Sequence, residues 1–313
     1  MKIVVMGTGG VGGYFGARLA AAADGGSNDV TFVARGAHKE AIERGGLRVL
    51  SAAGDLRLHP ARVVDDQAGI GPCDAVLVAV KLWDTEAAAT LVRPLLADDT
   101  AVVSLQNGVE KEDALARLLG PEHVLGGVAY ISAVIQEPGV IRHNGIGARL
   151  IFGERDGRDS RRQEALLAAC LGAGIDARAS RTIDRDIWEK FVFLAPLAGA
   201  TAFARQPIGP VLDDPAGRAR FEALVGETAA VGRAKGVGLP PELEERTIAF
   251  TRQLPGDTRP SMLVDLERGN RLELDWLTGA VVRLGRDLGV PTPASEEVYG
   301  ALRPYALGRP PAG

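Results

Sequence analysis

Apolar and polar positions follow two different rhythms along this chain, and the change of rhythm divides it. In the first half, short β-branched apolar runs alternate with Ala- and Leu-rich stretches of helical period. Residues 2–6 and 29–34 read as strands with a helix over 14–23 between them, the pattern of a parallel α/β sheet. Residues 47–64 alternate about a turn at Ala53-Gly54-Asp55, which predicts a hairpin or a pair of edge strands. Residues 75–80 and 101–105 are unbroken apolar runs, as expected of strands covered on both faces, and 85–97 and 110–119 read as helices. Residues 124–152 read as several strands split at Pro138-Gly139 and Asn144-Gly145, followed by a helix over 160–171 and a strand over 175–179. From about Asp184 the strand-like runs vanish and a 3.6-residue period takes over, with Pro207, Pro210, Pro215, Pro240, Pro241, Pro255 and Pro260 as punctuation. The expected organisation is an α/β domain over 1–181, an all-helical domain over 182–306 and a disordered Pro- and Gly-rich tail over 307–313. No internal repeat is present.

The first strand runs into Gly7-Thr8-Gly9-Gly10-Val11-Gly12, which contains G-x-G-x-x-G in the context that gives the motif meaning, strand before and helix after. Gly7 allows the tight turn, Gly9 lets backbone approach a pyrophosphate, and Gly12 lets the helix pack closely on the strand. The helix start supplies free N–H groups and the positive end of a dipole to a phosphate. This predicts dinucleotide binding, against the plainer reading of a glycine-rich turn. The residue after the second strand is Arg35, with no acid at the strand end, which favours the 2′-phosphate of NADP over NAD.

Two further positions fall where apolar strands end, at the edge where doubly wound sheets bind ligands. Lys81 follows the run over 75–80 and is a cofactor or substrate candidate. Asn107, in Gln106-Asn107-Gly108, is either an ordinary Asn-Gly turn or an amide aimed at a nicotinamide or a substrate carbonyl. His143, standing alone, reads as structural.

Composition narrows the field without adding chemistry. With 46% hydrophobic and 24% charged residues the chain is ordinary globular material, and a net charge of −4 with no basic block argues against nucleic acid. Cys73 and Cys170 match no metal-ligand spacing and read as core residues in a reducing compartment. The N-terminus is used by the first strand, which argues against a cleavable signal. No apolar run is read as long enough to cross a bilayer, so the expectation is a cytoplasmic protein with no membrane partner.

In the second half, residues 187–202 are apolar nearly all round and predict a buried helix. Lys190 stands in that run almost alone as a cation. An ammonium there must be paired, face a cleft or shift its pKa, which makes it the best general acid/base candidate of the domain. The alternative is a lysine near the helix start pairing with Glu189 or Asp186. Ser261, after Pro260, can cap a helix starting at Met262, and Glu273 and Asp275 suit the start of the next one.

Taken together, the glycine motif, Arg35, Lys81, Gln106-Asn107-Gly108, Trp188-Glu189-Lys190 and Ser261-Met262-Leu263 with Glu273-Leu274-Asp275 resemble the ketopantoate reductase family in order and spacing, to about residue 305. The resemblance implies a Rossmann-type doubly wound NADPH-binding domain, an all-helical C-terminal domain and an active site in the cleft between them. It implies reduction of a 2-oxo acid to a 2-hydroxy acid. It makes Lys190 the proton donor and Asn107 a contact of both nicotinamide and substrate. Ser261 then binds substrate, Glu273 orders the cofactor–substrate end, and Arg35 and Lys81 hold cofactor phosphates.

One departure bears on the substrate. Reductases acting on ketopantoate carry Asn four and eight residues after the lysine, on the same helix face. Those substrate-wall positions here are Leu194 and Ala198. Two lost hydrogen bonds of roughly 1.5–3 kcal/mol each would weaken ketopantoate binding by about two to four orders of magnitude. The expected substrate is a more apolar 2-oxo acid or related ketone. Two alternatives stay open: a 3-hydroxy-acid dehydrogenase with the same two-domain plan, and a non-catalytic NADPH-binding sensor. The oily helical domain also leaves room for a homodimer.

Overall fold

The computed structural model describes residues 1–22 and 28–309, without the side chain of Ile146. The chain divides into two compact units. One comprises 1–106 and 111–183, the other 107–110 and 184–313.

The first unit is a ten-stranded mixed sheet with helices on both faces. Its strands are β1 (Lys2–Met6), β2 (Asp29–Val33), β3 (Leu47–Leu50), β4 (Leu56–Leu58), β5 (Val63–Val64), β6 (Ala75–Val78), β7 (Ala101–Ser104), β8 (Val124–Glu137), β9 (Val140–Glu154) and β10 (Asp176–Ala179). The order across the sheet is β4-β3-β9-β8-β7-β6-β1-β2-β5, with β10 also paired to β9. Every pairing from β8 through β7, β6, β1 and β2 to β5 is parallel, while β8–β9 and β3–β4 are antiparallel. The period-two arrangement of a strand sends Ile3 and Val5 to one face and Val4 and Met6 to the other. The first face is covered by α1 (Gly10–Ala20), α2 (Gly36–Gly45) and α5 (Arg161–Gly172), through Phe15, Ile42 and Leu166. The second is covered by α3 (Thr85–Val92) and α4 (Lys111–Leu119), through Val92 and Leu115. Because both faces are covered, the central strands can be apolar throughout.

Two expectations change here and a third holds. Helix α1 begins at Gly10 rather than residue 14, because Gly10 and Gly12 are small enough to sit inside the first turn against other backbone; its expected end at residue 23 lies outside the described residues. Residues 124–154 form one long hairpin turning at Pro138-Gly139. Asn144-Gly145 stays within β9, where Asn144 pairs with Ser132, and the irregularity appears instead as register shifts beside Tyr130 and Ile135. The lone His143 is 4% exposed, hydrogen-bonded to Ser51 and Gly147, so its position serves the sheet.

Beyond residues 107–110, the second unit has no strand among its described residues. Its helices are α6 (Ile183–Ala204), α7 (Ile208–Asp213), α8 (Pro215–Ala234), α9 (Leu243–Thr251), α10 (Ser261–Arg268), α11 (Thr278–Leu288) and α12 (Pro293–Leu302). Helix α6 is 22 residues long and, by length and composition, apolar enough to cross a membrane, contrary to the expectation that no run was. Two-thirds of its apolar window is buried by the rest of the protein (67%), as in a core helix. Helix α8 packs against it where Gly232 leaves space for Trp188; a Cβ at Gly232 would come within 2.7 Å of the indole. Leu307–Arg309, assigned to the tail, are held by hydrogen bonds: Gly308 N–H to the Tyr305 carbonyl and Arg309 N–H to the Gly269 carbonyl. Residues 310–313 of that tail lie outside the described residues.

Candidate active site

In the first unit the glycine motif forms a cradle of backbone. Gly7 adopts φ +101°, and a Cβ there would meet Val80 at 2.8 Å, so both conformation and space demand glycine. Thr8 is buried, and its N–H and hydroxyl both donate to the Val33 carbonyl at 3.0 and 2.9 Å, fixing the loop to the end of β2. Gly9 precedes α1 with no side-chain cap, and nothing lies within 4 Å of where its Cβ would stand. The first turn of α1 therefore offers its N–H groups beside open space. Val11 is half-buried. Gly12 closes the helix on the loop, its would-be Cβ lying 2.1 Å from the Gly7 carbonyl and 2.9 Å from Ala79. Gly10 has a different reason: its Cβ would fall 2.0 Å from the Ala133 carbonyl of β8, so packing alone accounts for that glycine.

Around the cradle, Arg35 is exposed and caps the start of α2 with extended backbone. On the same helix, His38 Nδ1 accepts the Gly139 N–H at 3.1 Å; burial pushes its imidazole below the ordinary value, against an opposing contact with the Thr8 backbone. Lys81 is exposed three residues past the end of β6, rather than at the strand end itself, with Nζ 5.6 Å from the Trp83 ring centroid.

In the second unit the structure brings Lys190 and Asn107 together. Lys190, half-buried on the second turn of α6, donates from Nζ to Asn107 Oδ1 at 2.9 Å. The carboxylate beside it in sequence is engaged elsewhere: Glu189 accepts from Arg185 at 2.7 Å and Arg246 at 3.0 Å. Gly108 follows Asn107 at φ +90°, the left-handed geometry that an Asn-Gly turn supplies. Glu110 of the same short segment accepts from Arg283 of α11 at 2.5 Å.

The remaining candidates fall less neatly. Ser261 is exposed and is the first residue of α10; Pro260 holds the capping position, so the hydroxyl is not spent on the helix. Glu273, 7% exposed, precedes a single 3-10 turn over Leu274–Trp276 rather than an α-helix. Asp275 in that turn accepts the Tyr299 hydroxyl at 2.8 Å, which pushes the phenol pKa up. Leu194 is half-buried, whereas Ala198 is 1% exposed and belongs to the packed interior. Cys73 and Cys170 are buried free thiols, pushed up to about 11 and about 12 by burial. In one dimension Lys111-Glu112 looks like any surface charge pair, and nothing in the Gln106-Asn107-Gly108 motif shows that the Gln106 amide is buried.

Fold and site define a class: a mixed α/β unit with a glycine-rich βα turn, followed by a helical unit with a lysine on its core helix. Residues 3–157 match the family model described as ketopantoate reductase PanE/ApbA, and residues 182–306 match its C-terminal counterpart. Over 305 residues the chain is 33% identical to an uncharacterized oxidoreductase, YkpB, of Bacillus subtilis, covering 97% of this chain and 99% of that one. It is 33% identical over 329 residues to a 2-dehydropantoate 2-reductase of Mesorhizobium japonicum, covering 99% of each. The crystal structure of 2-dehydropantoate 2-reductase from Geobacter metallireducens superposes with a TM-score of 0.89 at 33% identity, covering 97% of this chain and 99% of that one. The chain belongs to the ketopantoate reductase family and is an oxidoreductase of that family.

Proposed function

We propose that this protein is a cytoplasmic NADPH-dependent reductase of 2-oxo acids, with Lys190 as the proton donor. The cradle at Gly7–Gly12 fits a dinucleotide: an uncapped helix start, open space at Gly9 and the left-handed Gly7 are what a pyrophosphate needs. Arg35, exposed at the end of β2, is suited to a 2′-phosphate and supports NADPH over NADH; Lys81 is a second phosphate partner. When bound, NADPH supplies a hydride to the keto carbon.

The chain's own residues do the rest. The Lys190 ammonium stabilises negative charge developing on the ketone oxygen and then gives that oxygen its proton from Nζ. Asn107 orients the ammonium through Oδ1, leaving its amide N–H groups for substrate or nicotinamide. Ser261, with its hydroxyl unspent on capping, binds the substrate, and the buried Glu273 carboxyl orders the same end of the site. The observation that carries this reading is the 2.9 Å bond between Lys190 and Asn107, at the point where the helix turns almost wholly apolar from Phe191 on. A Lys190→Ala variant should lose turnover while keeping its affinity for NADPH. Unchanged turnover would overturn the assignment of Lys190, and absence of turnover in the parent would favour the sensor.

The substrate proposed is a more apolar 2-oxo acid than ketopantoate. Leu194, one turn after Lys190 and partly open, replaces a hydrogen-bonding group worth roughly 1.5–3 kcal/mol with hydrocarbon. Ala198 adds little to this reading, since it is packed inside.

A further inference from the structure

The chain leaves the sheet unit after Gln106, groups with the helical unit over residues 107–110, and returns at Lys111. Buried polar groups hold both ends of this excursion. At the outgoing end, Gln106 Nε2 donates to the Val80 carbonyl at 3.0 Å and to Thr85 Oγ1 at 2.9 Å, while its Oε1 accepts from the Ser104 hydroxyl at 3.0 Å. At the returning end, Lys111 and Glu112 open α4 as an ion pair whose side chains are each 2% exposed. Lys111 Nζ also donates to the Gly127 carbonyl at 2.9 Å, and the Gly127 N–H donates to Glu112 Oε1 at 3.3 Å.

Sheet geometry explains why Gly127 takes side chains as partners. Strand β7 pairs with β8 only at Val102–Val124 and Val103–Leu125. Past Leu125, the Gly127 backbone meets Lys111 and Glu112 instead of more β7. A Cβ at Gly127 would stand 2.4 Å from the Ser104 carbonyl, so glycine lets β8 close on the end of β7.

Stability does not account for this arrangement. Desolvating two charges offsets much of their attraction, and an apolar pair of similar volume often serves as well or better. What an ion pair bonded to both backbone groups of one residue adds is a fixed register. We propose that Lys111 and Glu112 are positioning residues which, with the Gln106 amide, fix the path of residues 107–110 and so hold Asn107 Oδ1 at Lys190 Nζ. This rests on reading Lys190 as the proton donor. Neither residue touches substrate. Loosening them costs turnover rather than cofactor binding, since misplacing a reacting group by about 1 Å can cost about a hundredfold.

The test uses the full chain with Lys111→Met and Glu112→Leu combined, which removes both charges and strands neither. The variant should melt close to the parent and bind NADPH as before. Its kcat should fall about tenfold or more, with a far smaller change in KM for the 2-oxo acid. In reductively 13C-methylated protein, with only six lysines in the sequence, the Lys190 signal should move, assigned by its loss in Lys190→Arg. That signal needs no substrate. A parent inactive on every 2-oxo acid would overturn the reductase reading, whereas an unmoved Lys190 signal with unchanged kcat would overturn the positioning one. Should the double variant not fold, Gln106→Leu loosens the other end, and the same two outcomes decide.

Discussion

Lys111 and Lys190 are lysines near the starts of two helices, and they meet different partners. Lys111 is locked to the Glu112 carboxylate in the sheet unit, and Lys190 donates to the neutral amide oxygen of Asn107 in the helical unit. Glu112 is the neighbouring residue on the same helix turn as Lys111, whereas Asn107 reaches Lys190 from a separate four-residue segment of the chain. The difference teaches that access separates the two lysines: Lys111 is sealed in with its partner at 2% exposure, whereas Lys190 is half-buried and stays within reach of a ligand.

The same substitution at the two positions should therefore give crossed results. Lys190→Met should lower kcat by about 10²–10⁴-fold with little change in melting. Lys111→Met leaves Glu112 as a buried unpaired carboxylate and should cost about 3–5 kcal/mol of folding stability, read by denaturant titration. Equal responses from the two variants would break the comparison.

Glu154 extends the carboxylate-locked side. It lies 2.8 Å from Arg162 and accepts the Ser160 hydroxyl at 2.6 Å. Burial raises its carboxyl, but Arg162 and Ser160 outweigh that and hold it below the ordinary value. A depressed carboxyl contributes stability that is fully present above the unfolded-state value, about 4.3, and is lost as pH falls through the folded one. Glu154→Gln should thus destabilise by about 3 kcal/mol at neutral pH, and the gap from the parent should close in urea titrations below about pH 4.

On the Lys190 side, Leu194→Asn should restore one substrate hydrogen bond and raise kcat/KM for ketopantoate by about ten- to a hundredfold. The smallest effect sharpens the comparison directly. Asn107→Asp sets a carboxylate where Lys190 now meets an amide oxygen, and kcat should fall by about tenfold because added negative charge favours the ammonium form.

What sequence made legible depended on whether a feature is local. The glycine cradle is a consecutive-backbone device, so spacing alone exposed it, and the period-two apolar runs located the central strands. The hairpin over β8 and β9 was harder, because pairing Asn144 with Ser132 across its arms overrides the turn preference of Asn144-Gly145. Gly10 is also required by its close approach to the Ala133 carbonyl, a contact that no local pattern reveals. Side-chain partnerships lay furthest out of reach. Asn107 and Lys190 are 83 positions apart, and Lys111 and Glu112 became conspicuous only once the fold buried them.

The most direct measurement is NADPH oxidation by the unmodified protein across 2-oxo acids of graded size and polarity. Saturable turnover is expected, with higher kcat/KM for apolar members of the series than for ketopantoate. Absence of turnover with every member would contradict the reductase assignment, and an efficiency with ketopantoate above all the others would contradict the substrate reading drawn from Leu194.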